Sequence, residues 1–233
     1  MFFPPFDIEN SRYERKFVVS DMMLPQIVQH IKMHPATFSS VFHPRYINNI
    51  YLDTAELDFF YDNLSGRGSR KKARIRWYGN LYGNIGKPVL EFKIREGYLG
   101  NKISFLLPPF SFDENISQGA LQQIFDKSDL PQWARDVLKH LRPSLVNRYL
   151  REYFLSFDGK FRITTDTELE YYAISANNNC FSERYGTQDV VVELKYGYAD
   201  AVIAPGVSAM LPFRLTKSSK YVNGIELLHP SLV

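Results

Sequence analysis

Cationic and apolar side chains alternate in three short segments of the chain, and this alternation restricts the fold more than any other feature of the sequence. Residues 72–77 read Lys-Ala-Arg-Ile-Arg-Trp, residues 90–95 read Leu-Glu-Phe-Lys-Ile-Arg, and residues 192–195 read Val-Glu-Leu-Lys. In a β-strand, side chains two positions apart share a face. Each segment therefore predicts a strand with one apolar face and one face of arginine, lysine and isolated glutamate.

A sheet with one dry face and one solvated face explains any single strand of this kind. It explains the set less well, because solvated faces usually mix threonine, serine and glutamine with charged residues. Here the polar faces are rich in arginine and lysine. Cationic side chains opposite one another across strands repel, and the planar guanidinium suits phosphate oxygens. The pattern therefore predicts a phosphate-binding sheet face.

The other patterns predict an α+β fold with a largely antiparallel sheet. Predicted strands cover residues 12–20, 46–53, 58–63, 70–78, 88–96, 101–107, 145–157, 161–169 and 189–196. Predicted helices cover residues 22–32, capped by Asp21, and 114–141, broken at Pro131. Residues 201–210 form either a helix or a loop, and residues 218–228 are unassigned.

Strands at this spacing can close into an antiparallel β-barrel with helices packed outside. A polar inner face would then line a basic central tunnel suited to a linear polyanion. The isolated glutamates of that face could hold a divalent metal that bridges the phosphates, because hard cations prefer oxygen ligands.

Composition argues against several classes of protein. The 233 residues contain no repeat and no long linker, which predicts one domain over residues 1–233. The net charge of +3 is small for a duplex nucleic-acid binder. A lone cysteine, Cys180, cannot form an internal disulfide. Because the sequence shows neither a signal peptide nor an apolar run of membrane-spanning length, we expect a cytoplasmic protein without a membrane span.

The ordered set of charged motifs resembles the triphosphate tunnel metalloenzymes, a CYTH-like superfamily, and within it the VTC-type polyphosphate polymerase domain. The resemblance extends from about residue 12 to residue 228. The motifs that carry it lie at residues 12–16 (Arg-Tyr-Glu-Arg-Lys), 49–54 (Asn-Ile-Tyr-Leu-Asp-Thr), 72–79 (Lys-Ala-Arg-Ile-Arg-Trp-Tyr-Gly), 90–93 (Leu-Glu-Phe-Lys), 147–149 (Asn-Arg-Tyr), 162–166 (Arg-Ile-Thr-Thr-Asp), 192–195 (Val-Glu-Leu-Lys) and 219–221 (Ser-Lys-Tyr).

The resemblance implies transfer of the terminal phosphate of ATP to a growing polyphosphate chain, with a divalent metal, Mn²⁺ or Mg²⁺. It implies that the catalytic cations are Arg74, Arg76, Lys195 and Lys220. It also implies that further phosphate contacts come from Lys16, Lys93, Lys102, Arg148, Arg162 and Ser219. Glu193 is the implied metal ligand, and Glu14, on the polar face of the first strand, is a second candidate ligand.

One departure from the superfamily pattern favours a polymerase over a hydrolase. The superfamily has Glu-x-Glu-x-Lys in its first strand, and Arg12 here replaces the first glutamate. Two alternatives remain: an inorganic or nucleoside triphosphatase of the same fold, and a non-catalytic polyphosphate-binding module. The expected partners are ATP and polyphosphate, with no nucleic acid and no obligate protein partner.

Overall fold

The computed structural model of the chain describes residues 3–9, 11–113, 116–174 and 184–232. Within these ranges the strands are β1 Arg12–Val19, β2 Ser39–Asp53, β3 Ser69–Tyr78, β4 Gly83–Ile85, β5 Val89–Glu96, β6 Leu99–Leu106, β7 Phe110–Phe112, β8 Arg142–Leu155, β9 Phe161–Ala173, β10 Arg184–Thr187 and β11 Val190–Gly197. The α-helices are α1 Leu24–Lys32, α2 Asp58–Leu64, α3 Gln118–Asp126, α4 Gln132–Leu138, α5 Ala204–Ala209 and α6 Lys220–Leu228. Short 3₁₀ turns cover Tyr198–Asp200 and Pro230–Leu232.

Eight of these strands form a closed antiparallel ring. The sheet runs in the order β9-β11-β1-β6-β5-β3-β2-β8, and β8 pairs back with β9. Strand β10 pairs with β9 on the edge opposite β8. Strands β4 and β7 form a separate pair. The α+β class and the largely antiparallel sheet are confirmed. None of the helices within the described residues combines the length and the apolar content needed to cross a bilayer.

Helices cover the outer face of the ring on two sides. The apolar positions of β3 and β5, such as Ile75 and Phe92, are fully buried in a core that includes residues of α3 and α4. Trp133 of α4, for example, packs on Phe92 with the ring centroids 5.1 Å apart. A second core joins Ile27 of α1 and Val192 of β11. The apolar halves of the alternating strands therefore point outward, and their charged halves point into the ring.

The last helix, α6, packs against the inner face. The Tyr221 ring stacks on Tyr51 of β2 at 4.9 Å. A Cβ atom at Gly224 would lie only 2.6 Å from side-chain atoms of Leu145 and Tyr171, so glycine is the residue that fits this close approach. The sequence did not predict the secondary structure of residues 218–228. They include helix α6, which lies at one side of the ring interior.

The structure corrects two local predictions. Residues 58–63, predicted as a short strand, form part of helix α2. The carboxylate of buried Asp53 accepts hydrogen bonds from the backbone N–H groups of Phe59 and Phe60 at 2.9 Å each, and thereby caps that helix from a distance. Helix α1 begins at Leu24 rather than at residue 22, with Met23 instead of Asp21 at the N-cap.

The predicted helix over residues 114–141 is two helices, α3 and α4, with Pro131 at the N-cap of the second. Its first two residues, and the lone cysteine Cys180, lie outside the described residues. Residues 201–210, predicted as helix or loop, include the short helix α5.

Candidate functional site

The inner face of the ring gathers more cations than anions. We call this set the inner cationic cluster. In the part of the chain that the structure describes, its cationic members are Lys16, Lys72, Arg74, Arg76, Lys93, Lys102, Arg151, Lys195 and Lys220. Its carboxylates are Glu14, Glu91, Asp166 and Glu193.

Glu193 of β11 is the centre of one half of the cluster. Its Oε1 atom lies 3.5 Å from Lys16 Nζ and 3.4 Å from Lys220 Nζ. Its Oε2 atom lies 2.7 Å from Lys195 Nζ and 3.1 Å from Arg151 Nη2. Burial alone would raise the pKa of this carboxyl, yet the four cations hold the pKa well below its usual range. Glu193 is therefore ionised over the whole physiological range.

Two further carboxylates flank Glu193. Glu14 of β1 lies 3.7 Å from Lys16 and 3.5 Å from Lys195, so both lysines bridge the two glutamates. Asp166 of β9 pairs with Lys220 at 2.5 Å and with Arg151. Burial would raise the pKa of Asp166, but Arg151 and Lys220 lower it. This half of the cluster is a dense network of alternating charges on β1, β8, β9, β11 and α6.

Glu91 of β5 is the centre of the other half. Its side chain is 0 % exposed, and it pairs with Arg74 at 2.6 Å, Arg76 at 3.1 Å and Lys102 at 2.9 Å. Arg74 lies directly opposite Glu91 in the register of β3 and β5. Burial works against ionisation here too, but the three cations hold the pKa of Glu91 far below its usual range.

Lys72 and Lys93 lie between these halves, and neither forms an ion pair with a carboxylate of the described residues. They are directly opposite each other on β3 and β5, and Lys93 is directly opposite Lys102 on β6. Glu14 favours the charged form of Lys93, but burial together with Arg74, Lys16 and Lys195 lowers its pKa to about 8. Burial is also the main reason that the pKa of Lys72 lies well below its usual range. The cationic surplus of the cluster is concentrated at these lysines.

The start of α6 contributes both a cation and a hydroxyl to the cluster. Ser219 is the N-cap, and its Oγ accepts hydrogen bonds from the backbone N–H of Val222 at 3.2 Å and from Lys72 Nζ at 2.7 Å. Lys16 Nζ donates to the carbonyl of Ser218 at 3.1 Å. These contacts fix the helix start, so that Lys220 faces Asp166 and Glu193.

The structure brings together most of the residues that the sequence singled out for phosphate, but Arg148 is an exception. Arg148 precedes Tyr149 in β8, and its guanidinium stacks over the outer residue Tyr46 at 3.7 Å. Tyr149 itself faces the cluster, with Lys220 Nζ 4.8 Å above its ring. The alternation of the strand therefore turns Arg148 away, and Arg151, two positions beyond Tyr149, reaches Glu193 instead.

Arg162 has an intermediate position. It lies opposite Lys195 in the register of β9 and β11, so its side chain leaves the same face of the sheet. It is exposed at the start of β9 and forms no ion pair with the carboxylates of the inner cationic cluster within the described residues. Arg162 is therefore at the margin of the cluster.

Sequence reasoning missed Arg151, Asp166 and Lys72 as members of the cluster, and it included Glu91 only among the isolated glutamates that could hold a divalent metal. The alternation that selected Arg74 and Arg76 also selects Lys72, two positions earlier. Arg151 is two positions from Tyr149, so a strand places both side chains on the same face, and this was the signal available for Arg151. Asp166 shares a face with Arg162 at a spacing of four, which is also a strand signal.

The carboxylates do not form a self-contained metal cage. Among the described residues, no group of three or more His, Cys, Asp or Glu side chains is arranged to hold a metal ion. Mg²⁺-like cations are often bound by one or two carboxylates together with substrate phosphates and water. Glu14 and Glu193 fit that mode, because they flank the same two lysine ammonium groups. Phosphate oxygens could draw those lysines away from the carboxylates.

Comparison with solved structures supports the fold. A putative adenylate cyclase from Bacillus halodurans aligns with a TM-score of 0.51 and 13% sequence identity, over 94% of this chain and 97% of that one. The PH1819 protein from Pyrococcus horikoshii OT3 aligns with a TM-score of 0.50 and 15% identity, over 94% and 99% of the two chains. No curated protein sequence matches the chain. A family model described as the VTC domain matches residues 11–229, and the chain therefore belongs to the VTC domain family.

Proposed function

We propose that the protein is a metal-dependent polyphosphate polymerase that transfers the γ-phosphate of ATP to a growing polyphosphate chain. The observation that carries the proposal is the cationic surplus of the inner cationic cluster, whose members as defined above are nine cations and four carboxylates. A triphosphate needs fewer cationic contacts than the interior offers. The surplus would hold a longer chain of phosphates, as in a basic tunnel.

Phosphoryl transfer depends mainly on positioning and charge neutralisation, which suits a site rich in arginine and lysine. In the proposed reaction, a terminal oxygen of the polyphosphate attacks the γ-phosphorus of ATP. The bond between that phosphorus and its bridging oxygen to the β-phosphate breaks, ADP leaves, and the chain grows by one phosphate. Arg74 and Arg76 would bind the triphosphate, while Lys195 and Lys220 would neutralise the charge on the transferred group.

Glu193 and Glu14 would hold the divalent cation together with phosphate oxygens. When bound, Mn²⁺ or Mg²⁺ would supply charge neutralisation at the phosphates. Lys16, Lys93, Lys102 and Ser219 would contact phosphates beyond the transferred group. Arg151, which pairs with Glu193 at 3.1 Å, would take the phosphate-facing position that the sequence assigned to Arg148.

The product mixture tests this proposal. The purified protein is incubated with ATP and Mn²⁺, and ADP, free phosphate and polyphosphate are measured separately, with the polymer resolved by electrophoresis. We expect ADP and polymer in matching phosphate equivalents, with little free phosphate. Stoichiometric free phosphate without polymer would instead indicate a triphosphatase. Binding of polyphosphate without ADP release would indicate a non-catalytic module.

A further inference from the structure

An arginine inside a group of three aromatic rings lies beyond the inner cationic cluster. The guanidinium carbon of Arg45 is 4.6 Å from the ring centroid of Tyr78, 4.9 Å from that of Tyr153 and 5.0 Å from that of Phe42. Phe42 and Tyr153 contact each other edge to face, with centroids 5.5 Å apart. Arg45 forms no ion pair with a carboxylate among the described residues, and its Nε atom is buried without a hydrogen-bond partner there. The three rings therefore stabilise its charge by cation–π contacts, and the Arg45 side chain also hydrogen-bonds to Tyr153.

These residues share the inner side of the ring with the phosphate-facing cations. Arg45 lies opposite Arg151 in the register of β2 and β8, and Phe42 lies opposite Tyr153. Tyr78 follows Arg76 on the same face of β3, and the Arg76 guanidinium is 5.3 Å from the Tyr78 ring. The group is therefore continuous with the Glu91 half of the inner cationic cluster.

Two of the rings are open to solvent. Phe42 is 53% exposed and Tyr78 is 44% exposed, although both contact Arg45. If the only role of these aromatic rings were to pack the end of a strand, we would expect other apolar groups to cover them. Here Phe42 and Tyr78 keep part of their surface free, next to the guanidinium of Arg45, whose Nε atom is buried.

We propose that Tyr78 and Phe42 stack on the base of a nucleoside triphosphate while Arg76 and Arg74 bind its phosphates. The inference rests on the proposed function, because it places the base of the phosphate donor. From Arg74 to Tyr78 the strand advances four residues, about 13 Å at ~3.3 Å per residue. That span leaves room for ribose and phosphates between a base on Tyr78 and a terminal phosphate near Arg74. Every base has a π-face, so stacking of this kind tolerates different bases.

The proposed site separates two classes of triphosphate. Inorganic tripolyphosphate carries the same chain of phosphates as ATP but no base. It would use the inner cationic cluster and leave the aromatic rings free. The Tyr78 and Phe42 rings would therefore act on nucleotide affinity alone.

The experiment compares the dissociation constants of ATP and tripolyphosphate for wild type, Tyr78→Leu and Phe42→Leu, measured by calorimetry at one salt concentration. Leucine keeps apolar bulk but removes the π-face. We expect each variant to bind ATP about tenfold more weakly, in line with the stacking energies known for single aromatic rings, and to bind tripolyphosphate within twofold of wild type. Tyr98→Leu is the matched control, because Tyr98 is 80% exposed on the turn between β5 and β6.

The possible results separate the inference from the function on which it rests. Unchanged ATP affinity in both variants would overturn the stacking site, as would an equal loss of ATP and tripolyphosphate affinity. If wild type bound neither compound, the proposed function itself would fail. Should Tyr78→Leu not fold, Phe42→Leu decides the question, because its ring is the more exposed of the two.

Discussion

The hydroxyl of Tyr221 donates a hydrogen bond of 2.6 Å to Oδ2 of Asp53, and this contact joins α6 to the end of β2. The same carboxylate caps α2 through the backbone N–H groups of Phe59 and Phe60. Asp53 is 0% exposed. One buried carboxylate therefore positions the helix that carries Ser219 and Lys220.

We expect Tyr221→Phe to lower the free energy of unfolding by about 1–3 kcal/mol, because it leaves a buried acceptor with one partner fewer. Tripolyphosphate affinity should fall as well, since Lys220 loses its fixed position. Chemical denaturation and calorimetry measure the two effects. Tyr98→Phe, at an exposed turn, is the control. Unchanged stability would show that the Asp53 contact does not hold α6 in place.

The buried ion pair between Arg74 and Glu91 links stability to ligand binding. Arg74→Ala should abolish turnover and destabilise the fold by up to about 3–5 kcal/mol, because Glu91 stays buried with a smaller set of cations. The double variant Arg74→Met with Glu91→Gln should recover much of that stability, since it removes both charges. It should not recover tripolyphosphate binding or turnover. Recovery of binding in the double variant would remove Arg74 from the proposed phosphate site.

Glu193→Gln tests the metal assignment. The amide keeps the shape of the side chain but is a poorer ligand for a hard cation. We expect the Mn²⁺ concentration needed for half-maximal activity to rise by tenfold or more. Tripolyphosphate binding without metal should be retained, because four neighbouring cations lose a competing anion. Glu56→Gln, at an exposed position outside the cluster, is the control. A metal titration that coincides with that of wild type would exclude Glu193 as a ligand.

Lys93 predicts a pH dependence of phosphate binding. Its pKa of about 8 in the folded protein lies below the ~10.4 of an unfolded lysine. Its charge therefore opposes folding fully below about pH 8, and this penalty decreases as the pH rises toward ~10.4. Phosphate binding should change in the opposite direction and weaken above about pH 8, where Lys93 loses its proton.

Calorimetry with tripolyphosphate between pH 7 and pH 9.5 measures this dependence at constant ionic strength. Lys93→Arg provides the comparison, because a guanidinium stays charged throughout this range. The arginine variant should lose less affinity than wild type as the pH rises. Identical pH profiles for the two proteins would exclude titration of Lys93 as the cause.

The sequence predicted the faces of the regular strands because alternation is a local property. Arg74, Arg76 and Lys93 lie where a period of two places them. Arg148 lies on the outer face because its neighbour Tyr149 faces the cluster, and the sequence alone did not show which of the two faces inward. The pairing of β8 with β9 is also irregular between Arg148 and Leu150. The neighbouring Glu168 has a left-handed backbone, with φ of 51°. Such a bulge depends on strand pairing and leaves no clear signal in the local sequence.

Long-range contacts explain the other differences between sequence and structure. Helix α2 contains three aromatic residues with good strand propensity, but the Asp53 carboxylate caps it and its two phenylalanines are buried. The partner of Asp53 on α6, Tyr221, is 168 positions away. Helix α6 itself depends on a close approach at Gly224 that only the folded ring creates. Local patterns do not contain this information.

The proposed function requires that cations of the ring interior have a bound anion as their partner, and Lys72 and Lys93 are the residues at which this can be measured. Neither has a carboxylate partner among the described residues, so their charges oppose folding in the absence of ligand. The measurement is the free energy of unfolding and the tripolyphosphate affinity of Lys93→Met and Lys72→Met, with exposed Lys139→Met as the control.

We expect opposite changes in the free energy of unfolding and in the affinity. Each variant should be more stable than wild type by about 1 kcal/mol, a value reduced for partial exposure. Each should also bind tripolyphosphate about tenfold or more weakly, because a charge-assisted contact to phosphate is lost. A loss of stability with unchanged affinity would show instead that these lysines stabilise the fold and do not bind a phosphate chain.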